Sequence, residues 1–382
     1  MAQEITLYPD TSKISHFHLL QLTPDIQQLL DSPDETSHLT IKSAGPTSPI
    51  FLCSYSKTFR IRQISQSNTI LMVSASRSKN YTDDQDTQMD DIAEQDGEEE
   101  VEAEAPVGYL SQLPGSILEC TSSSPQVDLS FVPLYNGADA LSTTSSSSSS
   151  STSLHLNEIK SQIPVSDYEF ANEWAAALGV ELPHGGAFRL SRDFVQQFLP
   201  VFVAAVSADR LDLERLEVAR VFEAVKEEDE PVAVVEALLR RFSRTREEPY
   251  CVDREGIARW FGIQTLSDHA YKETKLGDFL STWHASLPQP LDYPPCSLSL
   301  LTGHYVQPTP KTIRYLPCDR LPLEPAARFE RLFAAKGAWA VEEIMPFVEG
   351  IERDKARVNA LFMKFARKKS VAGKTVITKR GT

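Results

Sequence analysis

The stretch that decides the N-terminal fold is residues 50–73, which read IFLCSYSKTFRIRQISQSNTILMV. Apolar residues such as Phe59 and Ile61 alternate with serine, lysine and arginine, which is the period of a half-buried β-strand. Turn-forming residues at 65–68 interrupt the alternation, and an apolar run then resumes it. The stretch contains one candidate nucleophile, Cys53, and no histidine. We therefore predict two or three short strands whose edges pair with another protein chain.

The chain has 382 residues, which is long enough for two or three domains with hydrophobic cores. Its net charge of −15 is unevenly distributed. Residues 81–105 contain twelve Asp or Glu and no Lys or Arg, whereas the segment from Arg353 onward contains ten Lys or Arg and one acidic residue. The basic end of the chain, rather than the overall acidity, therefore indicates a binding partner.

Cysteine usage and hydropathy exclude several classes of protein. The five cysteines are scattered without a C-x-x-C pair, which predicts reduced thiols in an intracellular protein and no structural zinc. The first ten residues lack the basic and apolar segments of a signal peptide. The longest apolar run, residues 198–206, contains Pro200 and is too short to span a bilayer. We therefore expect no membrane partner.

Changes in composition divide the chain into domains and linkers. An acidic segment almost without aromatic residues predicts disorder, and a Ser/Thr run predicts a flexible linker. After that linker, helices followed by a turn and strands recur three times, which is the order of a winged helix-turn-helix unit. The expected fold class is α+β. The predicted parts are a β-rich assembly domain at 1–75 and 107–137, a disordered acidic insertion at 76–106, a Ser-rich linker at 138–154, and winged helices at 155–207, 208–307 and 308–382.

The sequence shows no catalytic or metal-binding constellation. His16 and His18 fit an ordinary strand better than a pair of metal ligands. The segment 373–375 resembles the end of a phosphate-binding loop, but the first glycine of that motif and the preceding strand are missing. The carboxylates of residues 83–104 lack an apolar scaffold that could desolvate a catalytic acid. We predict a protein that is not an enzyme, without catalytic residues, metal or cofactor.

A basic helix is predicted at residues 353–369. Because each residue of a helix is rotated by about 100° around its axis, the cations of this helix lie within about 60° of each other, next to an apolar stripe. In a winged helix, the recognition helix and the wing contact phosphates. This row of cations contains no Asn or Gln, so we expect DNA binding without strong sequence preference, with a solvated face and a nuclear import signal as the alternative. The candidate DNA-binding residues are Arg353, Arg357, Lys364, Lys368, Lys374, Lys379 and Arg380.

The helix predicted at 166–178 has a different character. A capping box at Ser166–Glu169 opens it, and its exposed face carries Asp167, Glu169 and Glu173. Such an acidic face repels DNA. We therefore expect the first winged helix to bind a protein.

Several residue patterns occur along the chain in an order that resembles a known family. The N-terminal patterns are Asp25–Leu30, Leu39–Lys42, Leu52–Phe59 with Ser67, Asn68 and Leu71, and Ser116–Glu119. The later patterns are Gly186–Arg189, Phe279 with Trp283, Leu321–Pro322, Arg328–Phe329, Leu332–Phe333, Trp339 and Glu342–Phe347, followed by the basic helix and wing. In this order the chain resembles the sister chromatid cohesion protein Dcc family over most of its length, except roughly residues 76–106 and 138–154.

The resemblance implies a subunit without ATPase activity in the cohesion-type alternative replication factor C clamp loader, located in the nucleus. It implies a β-barrel shared with a small Ctf-eight-type subunit and the C-terminal end of the large subunit. It also implies contacts of the winged helices with the catalytic subunit of DNA polymerase epsilon and with DNA, and an indirect link to PCNA. The alternative left open is a stand-alone winged-helix transcriptional regulator. The expected partner-binding residues are Leu52, Phe59, Ile61, Leu71, Glu169 and Glu173.

Overall fold

The structure is a computed structural model, and its α+β content confirms the predicted fold class. Eleven α-helices and 17 β-strands occur within the described ranges. The described residues form two compact units. The first contains those of 1–129 and 156–173, and the second contains those of 130–155 and 174–382. The predicted acidic insertion and Ser-rich linker lie outside the described residues, apart from their ends. The described ranges are 6–9, 18–31, 38–65, 67, 71–76, 107–112, 116–123, 127–138, 154–183, 186–270, 272–349, 351–352, 355–371 and 374–380.

The first unit contains two sheets, which confirms the predicted strands in the opening stretch. One sheet has five strands in the order β2–β8–β5–β4–β3, and the other has three in the order β1–β7–β6. Neither sheet closes into a barrel within the described ranges. The strands are β1 (Thr6–Pro9), β2 (Leu19–Gln21), β3 (Thr40–Ser43), β4 (Ile50–Cys53), β5 (Thr58–Ser65), β6 (Leu71–Ser76), β7 (Val107–Gln112) and β8 (Ser116–Ser122).

Helix α1 (Pro24–Leu30) covers one face of the five-stranded sheet. Thr23 caps this helix by accepting a hydrogen bond from the Ile26 amide at 3.4 Å, and proline occupies the first turn, where its missing N–H costs nothing. Ile26 packs on Leu52 and Phe59 of the sheet. An ion pair of 2.9 Å between Asp25 and Lys57 lies beside this contact. The first unit therefore has its own small core under α1.

Helices α2 (Leu156–Gln162) and α3 (Asp167–Ala176) follow. Helix α3 ends two residues earlier than the sequence predicts. Leu178 adopts a left-handed conformation with a φ of 56°, and Gly179 begins a strand. A Cβ on Gly179 would lie 2.1 Å from the ring of Trp174, so only glycine fits there.

The second unit begins with a small sheet and five helices around an apolar core. Trp283 lies at the centre of this core, where its indole N–H donates to the carbonyl of Ala258 at 2.8 Å. The elements are β9 (Leu134–Tyr135), β10 (Gly179–Glu181), β11 (Ala187–Leu190), α4 (Arg192–Ala208), α5 (Val218–Ala224), α6 (Val232–Arg241), α7 (Arg254–Asp268), β12 (Thr274–Lys275), α8 (Leu276–Ser286), β13 (Tyr305–Val306) and β14 (Thr312–Tyr315).

The last part of the second unit surrounds a separate core that includes Trp339, Phe347 and Phe362. Its three strands form an antiparallel sheet in the order β15–β17–β16. The elements are α9 (Pro325–Ala335), β15 (Ala338–Ala340), α10 (Val341–Val348), α11 (Lys355–Phe365), β16 (Ala366–Val371) and β17 (Lys374–Lys379).

The basic helix is shorter than predicted. We predicted a helix at residues 353–369, but α11 ends at Phe365 and the following residues form strand β16. The reason is tertiary, because pairing of β16 with β17 buries Ala366 and Ile377 in the core. The four consecutive β-branched residues of β17, at 375–378, also favour a strand.

Candidate nucleic-acid interface and assembly surface

The structure places two of the expected partner-binding residues inside the first unit. Leu52 is 4% exposed and Phe59 is 2% exposed, and both contact α1. The chain covers both side chains with its own helix, so the prediction that they also bind a partner subunit stays a prediction. Ile61 is half-buried at the margin of the same core, and the side chain of Leu71 lies outside the described residues.

The apolar face continues beyond this core to an exposed edge. Ile41 is opposite Leu52 in the β3–β4 pair, and it is 68% exposed. Ile50 is two residues from Leu52, so it points to the same face, and it is also exposed. Within the described ranges no strand pairs with the outer edge of β3. We name Ile41, Ile50 and the outer edge of β3 the assembly edge.

Sequence reasoning missed the assembly edge, although the signal was present. The alternation of Thr40, Ile41 and Lys42 indicates a strand, but it does not show which face of that strand the core covers. A groove of about 280 Å³ lies between α1 and the β4–β5 turn, and Leu29, Leu39 and Lys57 are among the residues that line it. A partner strand at the edge of β3 would therefore meet apolar surface that the chain leaves uncovered.

The acidic residues of α3 do not form the uniform exposed face that the sequence predicts. Glu169 is half-buried and accepts hydrogen bonds from the hydroxyl groups of Thr58 and of Ser166, the second at 2.8 Å. Ser166 in turn accepts a bond from the Glu169 amide at 3.2 Å, which is one half of the predicted capping box. The other half is replaced, because the Ser166 amide donates to the hydroxyl of Thr58 at 2.8 Å. The carboxylate of Glu169 is therefore used inside the first unit, and the expectation that it is presented to a partner is corrected.

The neighbouring acids have different surroundings. Asp167 forms an ion pair of 3.2 Å with Lys42, whose ammonium group also donates to the Val165 carbonyl at 2.8 Å. Tyr168 donates its amide to the carbonyl of Tyr55 at 3.1 Å. Glu173 is exposed and stays a candidate for a protein contact. The start of α3 is thus bonded to the sheet of the first unit at several points.

The candidate DNA-binding residues of α11 are positioned by the apolar stripe behind them. Val358 and Phe362 are buried, and Phe365 stacks on Phe329 at 5.6 Å between ring centroids. This packing turns Arg357 and Lys364 outward to solvent, on one edge of the helix. Arg357 also lies 3.7 Å from Glu352, an exposed ion pair that contributes little to stability.

The other predicted cations are distributed over the hairpin. Lys368 lies on β16 rather than on the helix, and it donates to the side-chain oxygen of Asn359 at 3.1 Å. Arg380 donates to the carbonyls of Met363 and Lys364 at 3.1 Å and 3.4 Å, which places a cation at the negative end of α11. Lys379 is exposed on β17.

Two candidates cannot be placed in this surface. Arg353 lies outside the described residues, as does the side chain of Lys374. Sequence reasoning overlooked Arg367 and Lys369, which are exposed on β16, because it assigned them to a helix. Residues 355–380 contain no acidic residue. Helix α11 and the β16–β17 hairpin therefore form a positively charged surface suited to a polyanion.

Metal clusters and buried thiols were the chemical sites to consider among the described residues. No group of three His, Cys, Asp or Glu residues within the described ranges could hold a metal ion. Burial raises the pKa of the Cys53 and Cys120 thiols, which keeps both of them protonated and poorly nucleophilic. No helix in the described part of the chain is long and apolar enough to cross a membrane. The exposed surfaces described above are therefore the candidate functional sites.

Comparison with known proteins gives a consistent family. The family model described as "Sister chromatid cohesion protein Dcc1" matches residues 17–348. The "Sister chromatid cohesion protein DCC1" of Saccharomyces cerevisiae is 28% identical over 382 residues, covering 95% of this chain and 96% of that protein. The "Probable sister chromatid cohesion protein DCC1" of Dictyostelium discoideum is 22% identical over 371 residues, covering 90% of this chain and 87% of that protein.

A relative from Danio rerio, "Sister chromatid cohesion protein DCC1", is 27% identical over 156 residues, covering 40% of this chain and 39% of that protein. The family match includes the assembly edge and ends before α11, so the basic surface lies beyond it. Because the match spans most of the chain, the resemblance seen in the sequence is confirmed, and the chain belongs to the sister chromatid cohesion protein Dcc1 family.

Proposed function

We propose that this chain is a non-catalytic subunit of an alternative replication factor C clamp loader that works in the nucleus, in DNA replication and sister chromatid cohesion. Its first unit binds a small Ctf-eight-type subunit and the C-terminal end of the large clamp-loader subunit. Its second unit binds DNA, the exposed face of α3 that carries Glu173 binds the catalytic subunit of DNA polymerase epsilon, and the complex acts on PCNA. Membership of the Dcc1 family supports the cohesion role, and the partners follow from the family resemblance.

The assembly edge is the observation that carries this proposal. An exposed strand edge with isoleucines beside it is a liability in an isolated protein, because it invites pairing with other chains. Natural proteins usually protect such an edge with charges, proline or a bulge. The one charged residue of β3, Lys42, lies on the opposite face from Ile41 and is bonded to Asp167 and to the Val165 carbonyl. Here Ile41 and Ile50 extend the face that Leu52 and Phe59 bury. A strand from a partner subunit would continue the five-stranded sheet and cover this apolar surface, which is how a barrel shared between chains would close.

The order of elements at the end of the chain supports a winged-helix arrangement in that part. Helix α9, strand β15, helices α10 and α11, and the β16–β17 hairpin follow one another, and their strands form one antiparallel sheet. In such a unit α11 is the recognition helix and the hairpin is the wing. The positive surface of α11 and the hairpin would then contact the DNA backbone, with little dependence on sequence.

The alternative, a stand-alone transcriptional regulator, is not favoured by the similarity to cohesion proteins over nearly the whole chain. The acidic Glu173 remains our candidate for the polymerase contact, and Glu169 is no longer a candidate for it. Glu169 serves the first unit through Thr58 and Ser166.

Co-purification tests the assembly role. The full chain is co-expressed with the small subunit and the C-terminal segment of the large subunit, and one partner is affinity-tagged. We expect the double variant Ile41→Asp with Ile50→Asp to lose both partners, because two carboxylates would have to be desolvated in the shared sheet. Both side chains are exposed in the free chain, so the fold should survive the change.

The matched control is Val232→Asp, which places the same charge on an exposed apolar side chain at the start of α6. An acidic residue is favourable in the first turn of a helix, so this variant should keep both partners. If the Ile41 and Ile50 double variant also keeps both partners, the assembly edge is not the contact surface, and the proposal loses its structural support.

A further inference from the structure

The outward face of α11 has an apolar centre. Met363 is 75% exposed, and it lies in the last turn of the helix between Phe362 and Lys364. Each residue of an α-helix is rotated by about 100° around the helix axis. Around that axis, Met363 is only about 40° from Asn359 and about 100–120° from Lys364 and Arg357. Ala360, on the side of Met363 nearer these cations, is too short to cover it. The thioether therefore projects from the middle of the helix face.

Cations lie on both sides of this apolar centre. Arg357 and Lys364 occupy one edge of α11, and Lys368 reaches the other edge through its bond to Asn359. A helix that lay against a single phosphate strand would need cations on one edge only. Positive charge on both edges, with short and apolar groups between them, matches a groove that has phosphates on both walls and base edges at its floor.

We propose that α11 enters the major groove of duplex DNA and that Met363 contacts the 5-methyl group of thymine, an inference that rests on the DNA-binding part of the proposed function. Apolar side chains meet that methyl group in the major groove, and no other base presents one there. Asn359 lies beside Met363 on the same face of α11, and its side-chain oxygen accepts a hydrogen bond from the Lys368 ammonium group. Its amide N–H groups are then left to donate to the acceptors on base edges. The surface thus adds a weak preference for thymine to its contacts with phosphates.

An acidic peptide with an apolar anchor is the competing occupant of the same surface. DNA is favoured because the positive charge continues past the helix. Arg367 and Lys369 are exposed on β16, and Lys379 is exposed on β17. Residues 355–380 offer no carboxylate to pair with a basic residue of a protein partner. A long polyanion would use the helix and the hairpin together.

The test compares two duplexes that differ only in the methyl group. The full chain is titrated against labelled alternating dA-dT and alternating dA-dU duplexes of equal length, so that every binding register presents either thymine or uracil. We expect the wild-type chain to bind the thymine duplex roughly three- to fourfold more tightly, from burial of one methyl group. Met363→Ala should remove this ratio, and Met363→Leu should retain most of it.

The outcomes separate this inference from the proposed function. If the wild-type chain binds both duplexes equally well, or if Met363→Ala weakens both to the same extent, Met363 does not contact thymine and the inference fails while DNA binding stands. If neither duplex binds, the DNA-binding part of the proposed function fails with it, and the acidic peptide becomes the occupant to pursue. Met363 is exposed, so a change of fold would not explain any of these results.

Discussion

Arg328 of α9 is expected to hold the last part of the second unit together. It is 2% exposed, and burial lowers the pKa of its guanidinium group from the usual value. Four of its five N–H groups donate to four backbone carbonyls rather than to a carboxylate. These carbonyls belong to Cys318, Leu321, Pro322 and Phe347, so one side chain joins the segment before α9 to the end of α10.

The perturbation is Arg328→Met, which keeps an unbranched apolar stem about as long as the part of arginine up to Nε and removes every donor. The bonds to Leu321 and Phe347 are buried, so their carbonyls would lose their partners without access to water. The other two bonds are partly exposed, and water can replace them. Two orphaned buried carbonyls cost about 1–2 kcal/mol each, so we expect a loss of about 3 kcal/mol in local stability. That corresponds to an opening equilibrium roughly 150-fold more populated.

The assay is hydrogen exchange of the full chain, followed by mass spectrometry of peptides from α9 and α10. A local readout is needed because a chain with several units does not unfold in a single transition. The matched control is Arg331→Met, which removes an exposed arginine from the same helix and should leave exchange unchanged. If the two variants exchange at the same rate, the four carbonyl bonds do not stabilise this part of the unit, and the reasoning is refuted.

Two further predictions concern charge and pH. Replacing Arg357 and Lys364 with Glu should lower DNA affinity and reduce the slope of log affinity against log salt by roughly two. The control replaces the exposed Lys272 and Lys311 with Glu and should change the affinity and the slope much less. Equal effects of the two pairs would mean that α11 does not contact DNA. Burial, and then Arg259, hold the pKa of His304 below its usual value, against a smaller opposing contribution from Asp319. The unfolded chain then binds more protons, so the stability that neutral His304 contributes is complete above about pH 6.5 and is lost as the pH falls toward the folded pKa. His304→Gln should therefore flatten the decrease in hydrogen-exchange protection of peptides around residue 304, taken relative to the intrinsic exchange rates, between about pH 7.5 and pH 5.5. An unchanged decrease would contradict the assignment.

Local signals predicted several elements correctly because each depends on neighbours in sequence. The Ser166 cap opens α3 because the Glu169 amide that it accepts from lies within one turn. Pro24 and Thr23 begin α1 for the same kind of reason. The alternation around Phe59 predicted strand β5, since the period of a strand is visible in a few residues.

The misplaced residues depend on contacts that sequence spacing does not show. Lys368 was assigned to the basic row of a helix, but pairing with β17 turned its segment into a strand. Glu169 was expected on an exposed face, and Thr58, which lies 111 residues earlier, binds its carboxylate. Spacing does not show the contact of Leu52 with α1 either, and its expected contact with a partner stays a prediction.

The amino-acid sequence by itself determined the α+β class, the apolar strands of the first unit, the caps of its helices and the concentration of positive charge near the end of the chain. Those properties arise from composition and from residues a few positions apart. The tertiary structure alone decided which apolar residues of the opening stretch are covered and which remain on the surface. Ile41 and Leu52 have similar side chains and adjacent places on one sheet, but α1 packs over only one of them, so the assembly edge appears only when the chain is folded.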